Sequence, residues 1–388
     1  AGAGLVRPEL AVLLAYAKSD LVASILGSSL PEDPSLAELA NGYFPARVGQ
    51  AFADLVGRHR LYRELVATAL AGTIVDQMGI KWAHEASAEA GRPLAEVVAC
   101  WWTAWQVLGG ARMLAVLEEA APSLSADTEA ELHAGLAGAV VAVARAYLVE
   151  TPAPGGVGGQ AVLGPSARIA ADRPVVAALA DGAVADGAVV GTAGPGAGAG
   201  TGPGAALEAA IGRWLGGVGV VDVGVVSRAG GRSVAEAVAA LEAVDSLAGC
   251  PALAGALGSV PPTVRWARWL ALSLLDDLAG WRRGVAVAAL RATPGRPAAD
   301  AVASWLAPHS PALARGRAFV DELAAGQAGG GSGGSGPRIL TSLSLASLAV
   351  RSLCGPAGSD GAAGRSPVPG VLDDRWPGGR APEGRWGA

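Results

Sequence analysis

The side chains that could carry chemistry do not gather into a known catalytic or metal-binding pattern. His84-Glu85 lacks the second histidine of a zinc-binding helix, and no serine or threonine is matched to a histidine and an aspartate. Asp276 and Asp277 are adjacent, and adjacent helical residues point in different directions, which favours solvated surface positions. We predict no catalytic residue and no metal ligand, and we interpret the histidines as solvated or core residues: His59, His84, His133 and His309.

Two glycine-rich stretches resemble nucleotide-binding loops only superficially. Residues 191–196 follow two valines, but they contain a proline and no Lys-Ser/Thr pair. Residues 216–219 fail the dinucleotide pattern, because no glycine triplet opens a helix after a clear strand. We therefore predict no cofactor-binding residue in this chain.

The composition instead favours a protein built to pack helices. The chain has 388 residues, of which 51% are hydrophobic and only 5% aromatic, so the apolar content is mainly Ala, Val and Leu. Alanine and leucine are strong helix formers, and a chain of this length can bury a sizeable core. The net charge of -5 argues against nucleic acid as the main partner, since phosphate binding needs a basic face. The sequence predicts an all-α fold.

Cysteines and apolar runs indicate a reducing compartment and no membrane span. Cys100, Cys250 and Cys354 are far apart and in no metal spacing, which favours free, mostly buried thiols. The apolar run 134–149 is interrupted by Arg145 after about 11 residues, short of the ~20 that span a bilayer. The chain opens without the pattern of a signal peptide, and its first residue is not methionine, which suggests a fragment or a processed chain.

Shifts in composition predict two helical blocks joined by Gly/Pro-rich linkers. Residues 152–159 and 194–204 are rich in Gly and Pro, and residues 329–336 are Gly and Ser. The predicted organisation is a first helical block (1–150), a linker with a weak helical segment (151–204), a second helical block (205–325), a Gly/Ser linker (326–338), a terminal helix (339–354) and a disordered tail (355–388).

Apolar spacing predicts which helical faces these blocks bury. In the first helix one stripe recurs at three- and four-residue steps and is expected to face the first block: Leu10, Leu13, Leu14, Ala17, Leu21 and Ile25. Trp101 and Trp105 share a face, for which core packing is favoured over a stacking platform. The valine-rich run 220–226 has local strand character, but its Ala-rich context favours a helix.

The blocks also share an internal repeat. Residues 91–99 (GRPLAEVVA) match residues 231–239 (GRSVAEAVA), and a fainter echo is 295–303 (GRPAADAVA). Either chance in an Ala- and Gly-rich chain or a repeated helix-turn-helix unit explains these matches. We favour the repeated unit for the first pair and chance for the third segment.

A family resemblance begins in the first helix. Residues 7–18 (RPELAVLLAYAK) closely resemble the start of the C-terminal region of the large bacterial NAD-specific glutamate dehydrogenases. The likeness covers most of residues 5–350 and is strongest before residue 110. Further segments are similar to this region in the same order: 30–34 (LPEDP), 43–45 (YFP) and 59–68 (HRLYRELVAT), then more faintly 221–240, 302–306 and 340–348.

The resemblance implies a cytoplasmic parent enzyme that converts glutamate, NAD and water to 2-oxoglutarate, ammonium and NADH. In the family the catalytic lysine and the dinucleotide-binding domain lie upstream of the stretch that matches Arg7. This chain is therefore expected to bind neither NAD nor a metal and to be inactive alone. The expected partners are the upstream catalytic domain of the same polypeptide and further copies in a homo-oligomer, without nucleic acid or membrane.

The chain departs from the family pattern in places. The family commonly has asparagines and an arginine in the stretch that matches 72–77, where Gly72, Asp76 and Gln77 stand here. Two hypotheses follow. The chain is either the non-catalytic C-terminal part of a glutamate dehydrogenase, serving oligomer contacts or regulation, or a stand-alone helical interaction module without enzymatic activity.

Overall fold

The fold is all-α, as the composition predicts. The computed structural model describes residues 6–151, 164–186, 219–258, 260, 265–328, 344 and 346–349. Within these ranges the regular structure consists of helices, and no strand occurs. The predicted tail (355–388) and most of the predicted terminal helix (339–354) lie outside them.

The chain divides into two compact units, Ala1–Val225 and Val226–Ala388. The first unit contains α1 (Arg7–Leu26), α2 (Ala37–Gly42), α3 (Ala46–Ala51), α4 (Ala53–Val56), α5 (Tyr62–Met78), α6 (Trp82–Ala90), α7 (Leu94–Leu108), α8 (Gly110–Ala120), α9 (Ala126–Glu150) and α10 (Pro165–Asp186). The division falls within α11 (Val220–Gly230), and the second unit continues with α12 (Val234–Ala248), α13 (Cys250–Gly258), α14 (Arg265–Ala292), α15 (Ala298–Leu306) and α16 (Ser310–Ala328).

Helix α7 is the centre of the first unit. It packs against α9, α10, α1 and α6, and most of its side chains are buried. Pro93 precedes its first residue, and Gly109 ends it with φ 71°, a left-handed conformation that glycine adopts without a steric penalty. Trp101 and Trp105 stack on one face of α7, with ring centroids 5.3 Å apart and planes 15° from parallel. The predicted core role of this pair is confirmed.

Helix α12 holds the corresponding position in the second unit and packs against α14, α15, α13 and α16. Its start is a capping box, in which the Ser233 hydroxyl accepts from the Glu236 backbone N–H and the Glu236 carboxylate accepts from the Ser233 N–H. The hydrogen bonds from Ser233 hold the pKa of Glu236 below its ordinary value. The first turn of α12 is therefore fixed by local side chains.

The repeated sequences adopt the same local geometry. Gly91 and Gly231 have φ of 61° and 66°, and each is followed by an arginine whose carbonyl accepts from a serine hydroxyl four residues before the glycine. Those hydrogen bonds are 2.6 Å from Ser87 and 2.7 Å from Ser227. The favoured interpretation as a repeated helix-turn-helix unit agrees with this geometry.

The third segment shares only part of this geometry. The Arg92 and Arg232 backbone N–H groups donate to the carbonyls of Ser87 and Ser227, whereas the Arg296 N–H donates to the carbonyl of Thr293 at 3.3 Å. Gly295 has φ 82°, and Pro297 precedes α15 with φ -53° and ψ 139°, close to the -54° and 142° of Pro93. Arg296, however, is exposed and forms no ion pair with any residue in the described ranges. The complete turn with its arginine-centred contact thus occurs in the first pair of segments, and the third segment shares only the conformations of its glycine and proline.

Helix α10 is a packed helix, although its sequence predicts only a weak helical segment within a linker. It contacts α7, and Tyr147 of α9 donates a 2.7 Å hydrogen bond to the buried carboxylate of Asp172. Arg168 donates to the Thr151 hydroxyl at 2.7 Å, and its guanidinium lies 5.4 Å from the centroid of the Tyr147 ring. Asp33 caps the start of α10 by accepting from the Ser166 backbone N–H.

Two other local predictions can be compared with the structure. The run 220–226 is helical, as its context predicts, so tertiary packing overrides the β preference of valine. Helix α16 extends to Ala328, so residues 326–328, assigned from sequence to the Gly/Ser linker, are helical.

Candidate functional site

The N-terminal half of α1 exposes a run of large apolar side chains, as do the residues around α3 and α4, where Phe52 and Leu55 are 53% and 58% exposed. Of the stripe predicted to face inward, Leu21 and Ile25 are buried, but Leu10, Leu13 and Leu14 are 44%, 44% and 37% exposed. The prediction that the whole stripe packs in the first block is therefore wrong for these three residues. We call the following set the α1 apolar surface: Val6, Leu10, Val12, Leu13, Leu14 and Tyr16.

The α1 apolar surface is wider than one face of the helix. Leu10, Leu13 and Leu14 share a face, and Tyr16, which is 72% exposed, lies beside Leu13 and is followed around the helix by Val12. Together these side chains span an arc of about 200° around the helix axis. Residues 10–17 (LAVLLAYA) contain no charged side chain. Exposed contiguous apolar patches are typical of interaction surfaces, so this part of α1 is a candidate contact surface.

The rest of the unit holds α1 in place. Its C-terminal half packs against α5 and α7, and the Arg63 guanidinium donates to the carbonyls of Leu26 and Ser28 at 2.7 and 3.2 Å. At the other end the Glu9 carboxylate accepts from the Val6 backbone N–H at 2.9 Å. The exposed half is thus continuous with an anchored helix and closed by its own N-terminal cap.

A cleft of about 380 Å³ lies in the same unit between the end of α5 and helices α7, α8 and α9. Its polar side chains come from Asp76 and Gln77, two of the three departures from the family pattern, together with Glu118 and His133. Trp105 also lines it, but this ring stacks on Trp101 and lies directly against the backbone of Gly110. Both carboxylates are exposed, so the cleft is a solvated groove.

The third departure, Gly72, lies in the middle of α5 away from these groups. A Cβ added there would meet only the end of the Lys18 side chain, at 3.9 Å. This position therefore has space for a Cβ atom.

The remaining titratable candidates form no centre within the described ranges. No group of three or more His, Cys, Asp or Glu side chains there could hold a metal ion. His84 Nδ1 lies 3.6 Å from Asp20 Oδ2 at the surface, and His59 is exposed. Burial, together with the neighbouring Asp276 carboxylate, raises the pKa of Asp277. These positions agree with the interpretation of the histidines as ordinary solvated or partly packed residues.

Dinucleotide-binding folds hold their cofactor where a parallel strand leads through a glycine-rich turn into a helix. The described part of the chain contains helices only, so this unit does not occur there. The candidate glycine loop at 191–196 and most of the one at 216–219 lie outside the described residues.

The thiols of Cys100 and Cys250 are free and buried, as the sequence predicts, whereas Cys354 lies outside the described residues. Burial raises the pKa of Cys100 to about 11, and burial with the nearby Asp245 carboxylate raises that of Cys250 to about 12. Both are thus protonated thiols at neutral pH, and a protonated thiol is a poor nucleophile.

We expect both thiols to resist alkylation in the native chain. At pH 7, labelling of Cys100 and Cys250 by a maleimide should be at least about 1000-fold slower than in urea-unfolded chain, because both need unfolding for access and ionisation. Peptide mapping by mass spectrometry after timed quenching measures each cysteine separately. Rapid native labelling of either one would contradict its burial.

Among the described helices, α9 is long and apolar enough to cross a membrane, judged by length and composition alone. Helices α12 and α13, which are bent against each other, would also be long and apolar enough if they are counted together as one span. Helix α9 packs along α7 and buries Val140, Val143 and Tyr147 against the core of its unit. Core helices of globular proteins share these features, so we interpret α9 as a core helix.

Taken together, the fold and its exposed features define a helical packing region with an open apolar contact surface. Residues 2–330 match the family described as "Glutamate dehydrogenase, C-terminal". The match covers most of the chain, and the chain belongs to this family. The resemblance seen in the opening helix is thereby confirmed.

Similar proteins carry the corresponding name. The chain is 41% identical over 97 residues to a protein of Pseudomonas aeruginosa and 36% identical over 91 residues to one of Mycobacterium tuberculosis, both called "NAD-specific glutamate dehydrogenase". A protein of Halomonas elongata with the same name is 35% identical over 94 residues. These alignments cover 24–25% of this chain and 6% of each relative. The aligned part is thus a small fraction of a much longer polypeptide.

Proposed function

We propose that this chain is the non-catalytic C-terminal part of an NAD-specific glutamate dehydrogenase. The whole enzyme would oxidise glutamate to 2-oxoglutarate and ammonium while reducing NAD, in the cytoplasm. The proposal is supported by the family match over residues 2–330 and by the names of the relatives.

Within that enzyme the chain would serve contacts between domains or subunits, or regulation through such contacts. The observation that carries this role is the α1 apolar surface, which exposes large apolar side chains over a wide arc of one anchored helix. The acidic net charge of -5 makes nucleic acid an unsuitable partner. We propose the catalytic domain of the same polypeptide and further copies of the enzyme as partners.

The isolated 388-residue chain should have no NAD-dependent glutamate oxidation. Purified chain incubated with glutamate and NAD should form NADH no faster than a boiled sample, because the proposed role needs a dinucleotide site in another domain. NADH absorbance measures the rate. The full-length polypeptide serves as the positive control, and turnover by the isolated chain would refute its non-catalytic role.

The gene provides a second, independent test. An in-frame dehydrogenase domain with a glycine-rich dinucleotide loop, encoded immediately upstream of Ala1, is the expected finding. A start codon a few residues before Ala1 would instead favour the stand-alone helical interaction module.

A further inference from the structure

We propose that the α1 apolar surface is a preformed docking helix that inserts into the part of the same polypeptide preceding it. This inference rests on the proposed function and adds the surface through which the C-terminal region is joined to the rest of the enzyme. It assigns to the first half of α1 a contact outside the described units.

The distribution of apolar side chains around α1 favours a groove over a flat partner. Val12, Tyr16, Leu13, Leu10 and Leu14 are all exposed and form one arc of about 200° around the helix axis. A flat surface would contact the middle of this arc and leave its edges at Val12 and Leu14 in water. A groove formed by two or more elements can cover the whole arc, as grooves for inserted helices do.

The same distribution argues against the other possible occupants. A second copy that pairs with its own α1 through a two-fold axis buries the middle of the arc on each helix and leaves its edges exposed. A membrane surface binds helices that have an apolar face and a polar, Lys- or Arg-rich face. The side of α1 away from the arc carries two basic residues, Arg7 and Lys18, and the acidic Glu9 lies within the arc beside Tyr16. This charge pattern does not favour a membrane surface.

The lengths of the relatives indicate where such a groove lies. This family is the C-terminal part of glutamate dehydrogenases, and the aligned segment covers only 6% of each relative. Most of such a polypeptide therefore precedes the C-terminal region. A covalent connection places that preceding part next to α1 at an effective concentration in the millimolar range, so even modest contacts would hold the helix.

Docking would require little ordering of α1 itself. The helix is capped at Val6 by Glu9, begins with Pro8 in its first turn, and is held at its far end by Arg63. The exposed half is already helical and continuous with the packed half, so the entropy of folding is not lost on binding. A preformed helix of this kind favours association through its side chains alone.

Amide hydrogen exchange tests the docking. We would compare the full-length polypeptide with the 388-residue chain and follow peptides that contain residues 8–16. We expect exchange to be at least about 100-fold slower in the full-length polypeptide, because the covered half of α1 can no longer fray. Equal exchange in the two proteins would overturn the proposal.

Matched variants separate docking from general stability. Leu13→Glu should return exchange of residues 8–16 in the full-length polypeptide to the rate of the isolated chain, whereas Leu55→Glu, at an exposed leucine of α4, should leave it slow. In the isolated chain each variant should change the melting temperature by less than about 2 °C, since both side chains are exposed. A larger loss for Leu13→Glu would mean that Leu13 belongs to this unit's own core, which overturns the proposal.

Light scattering resolves the second-copy alternative. The isolated chain is expected to lack a dimer that depends on Leu13. A dimer that Leu13→Glu abolishes, together with slow exchange in α1, would overturn the proposal.

The outcomes also separate docking from the proposed function. A full-length polypeptide that oxidises glutamate but leaves α1 unprotected refutes docking alone, whereas a protected α1 after an upstream domain that is no dehydrogenase refutes the function alone.

Discussion

Replacing Gly110 by alanine is expected to destabilise the chain by about 2–3 kcal/mol, because the new methyl group has no space. A Cβ at this position would lie 2.3 Å from Cδ2 and 2.4 Å from Cε3 of Trp105. Trp105 cannot retreat easily, since it is buried and stacks on Trp101, which is itself 0% exposed. The free energy of unfolding, measured by urea denaturation with circular dichroism, should therefore fall.

The same substitution at Gly135 is the matched control and should have the opposite sign. Gly135 lies within α9, is exposed, and a Cβ there would meet nothing within 4 Å. Alanine in a helix interior is more favourable than glycine by about 0.5–1 kcal/mol, so Gly135→Ala should stabilise the chain. Wild-type stability of Gly110→Ala would show that the Trp101–Trp105 stack can shift, against the close packing described here.

Local sequence signals were sufficient to predict the parts of the fold that neighbouring residues determine. Gly91 belongs to the residue type that most often ends helices, and it adopts the left-handed conformation that ends α6. Ser125 belongs to the residue types preferred at helix starts, and its hydroxyl accepts from the Thr128 backbone N–H at the start of α9. The spacing of Trp101 and Trp105 was enough to place both on one buried face. Each of these features depends on residues within a few positions along the chain.

Features that depend on distant residues could not be predicted. The spacing of Leu10, Leu13 and Leu14 shows that they share a face, but it cannot show whether this chain supplies the partner for that face. In the structure the stripe is buried at Leu21 and Ile25, whereas its first half is exposed. The sequence thus shows the candidate contact surface as an apolar stripe. Only the packing of the structure shows that the first half of this stripe is exposed to solvent.

The packing of α10 was missed for a similar reason. Its sequence contains Pro174 and sits between Gly/Pro-rich stretches, which indicated a weak helix. Asp172 and Arg168 nevertheless meet Tyr147 and Thr151 at the end of α9. Pairing between residues that are distant along the chain has no local signature, so these contacts could not be inferred from spacing.

Arg92→Ala should lower the free energy of unfolding by about 2–3 kcal/mol, because this arginine joins two helices of the first unit. Its guanidinium lies 2.6 Å from Glu96 at the start of α7 and donates at 3.1 Å to the carbonyl of Thr151, just past the end of α9. The side chain is only 9% exposed, so its removal leaves the buried Thr151 carbonyl without this donor. Arg92→Lys should recover only part of the loss, since an ammonium cannot reproduce the planar fork of the guanidinium. Urea denaturation of both variants measures these differences.

The repeat supplies graded controls for this prediction. Arg232 makes the equivalent contacts with Glu236 at 2.7 Å and with the carbonyl of Thr293 at 3.1 Å, but its side chain is more exposed, so Arg232→Ala should cost less, about 1–2 kcal/mol. Arg296 follows the third turn, is exposed and pairs with no described carboxylate, so Arg296→Ala should change stability by less than about 0.5 kcal/mol. Equal losses of unfolding free energy at all three positions would show that the contribution of the arginine does not depend on these contacts. A loss that decreases from Arg92 to Arg232 to Arg296 would show that it acts by joining one helix to the end of another.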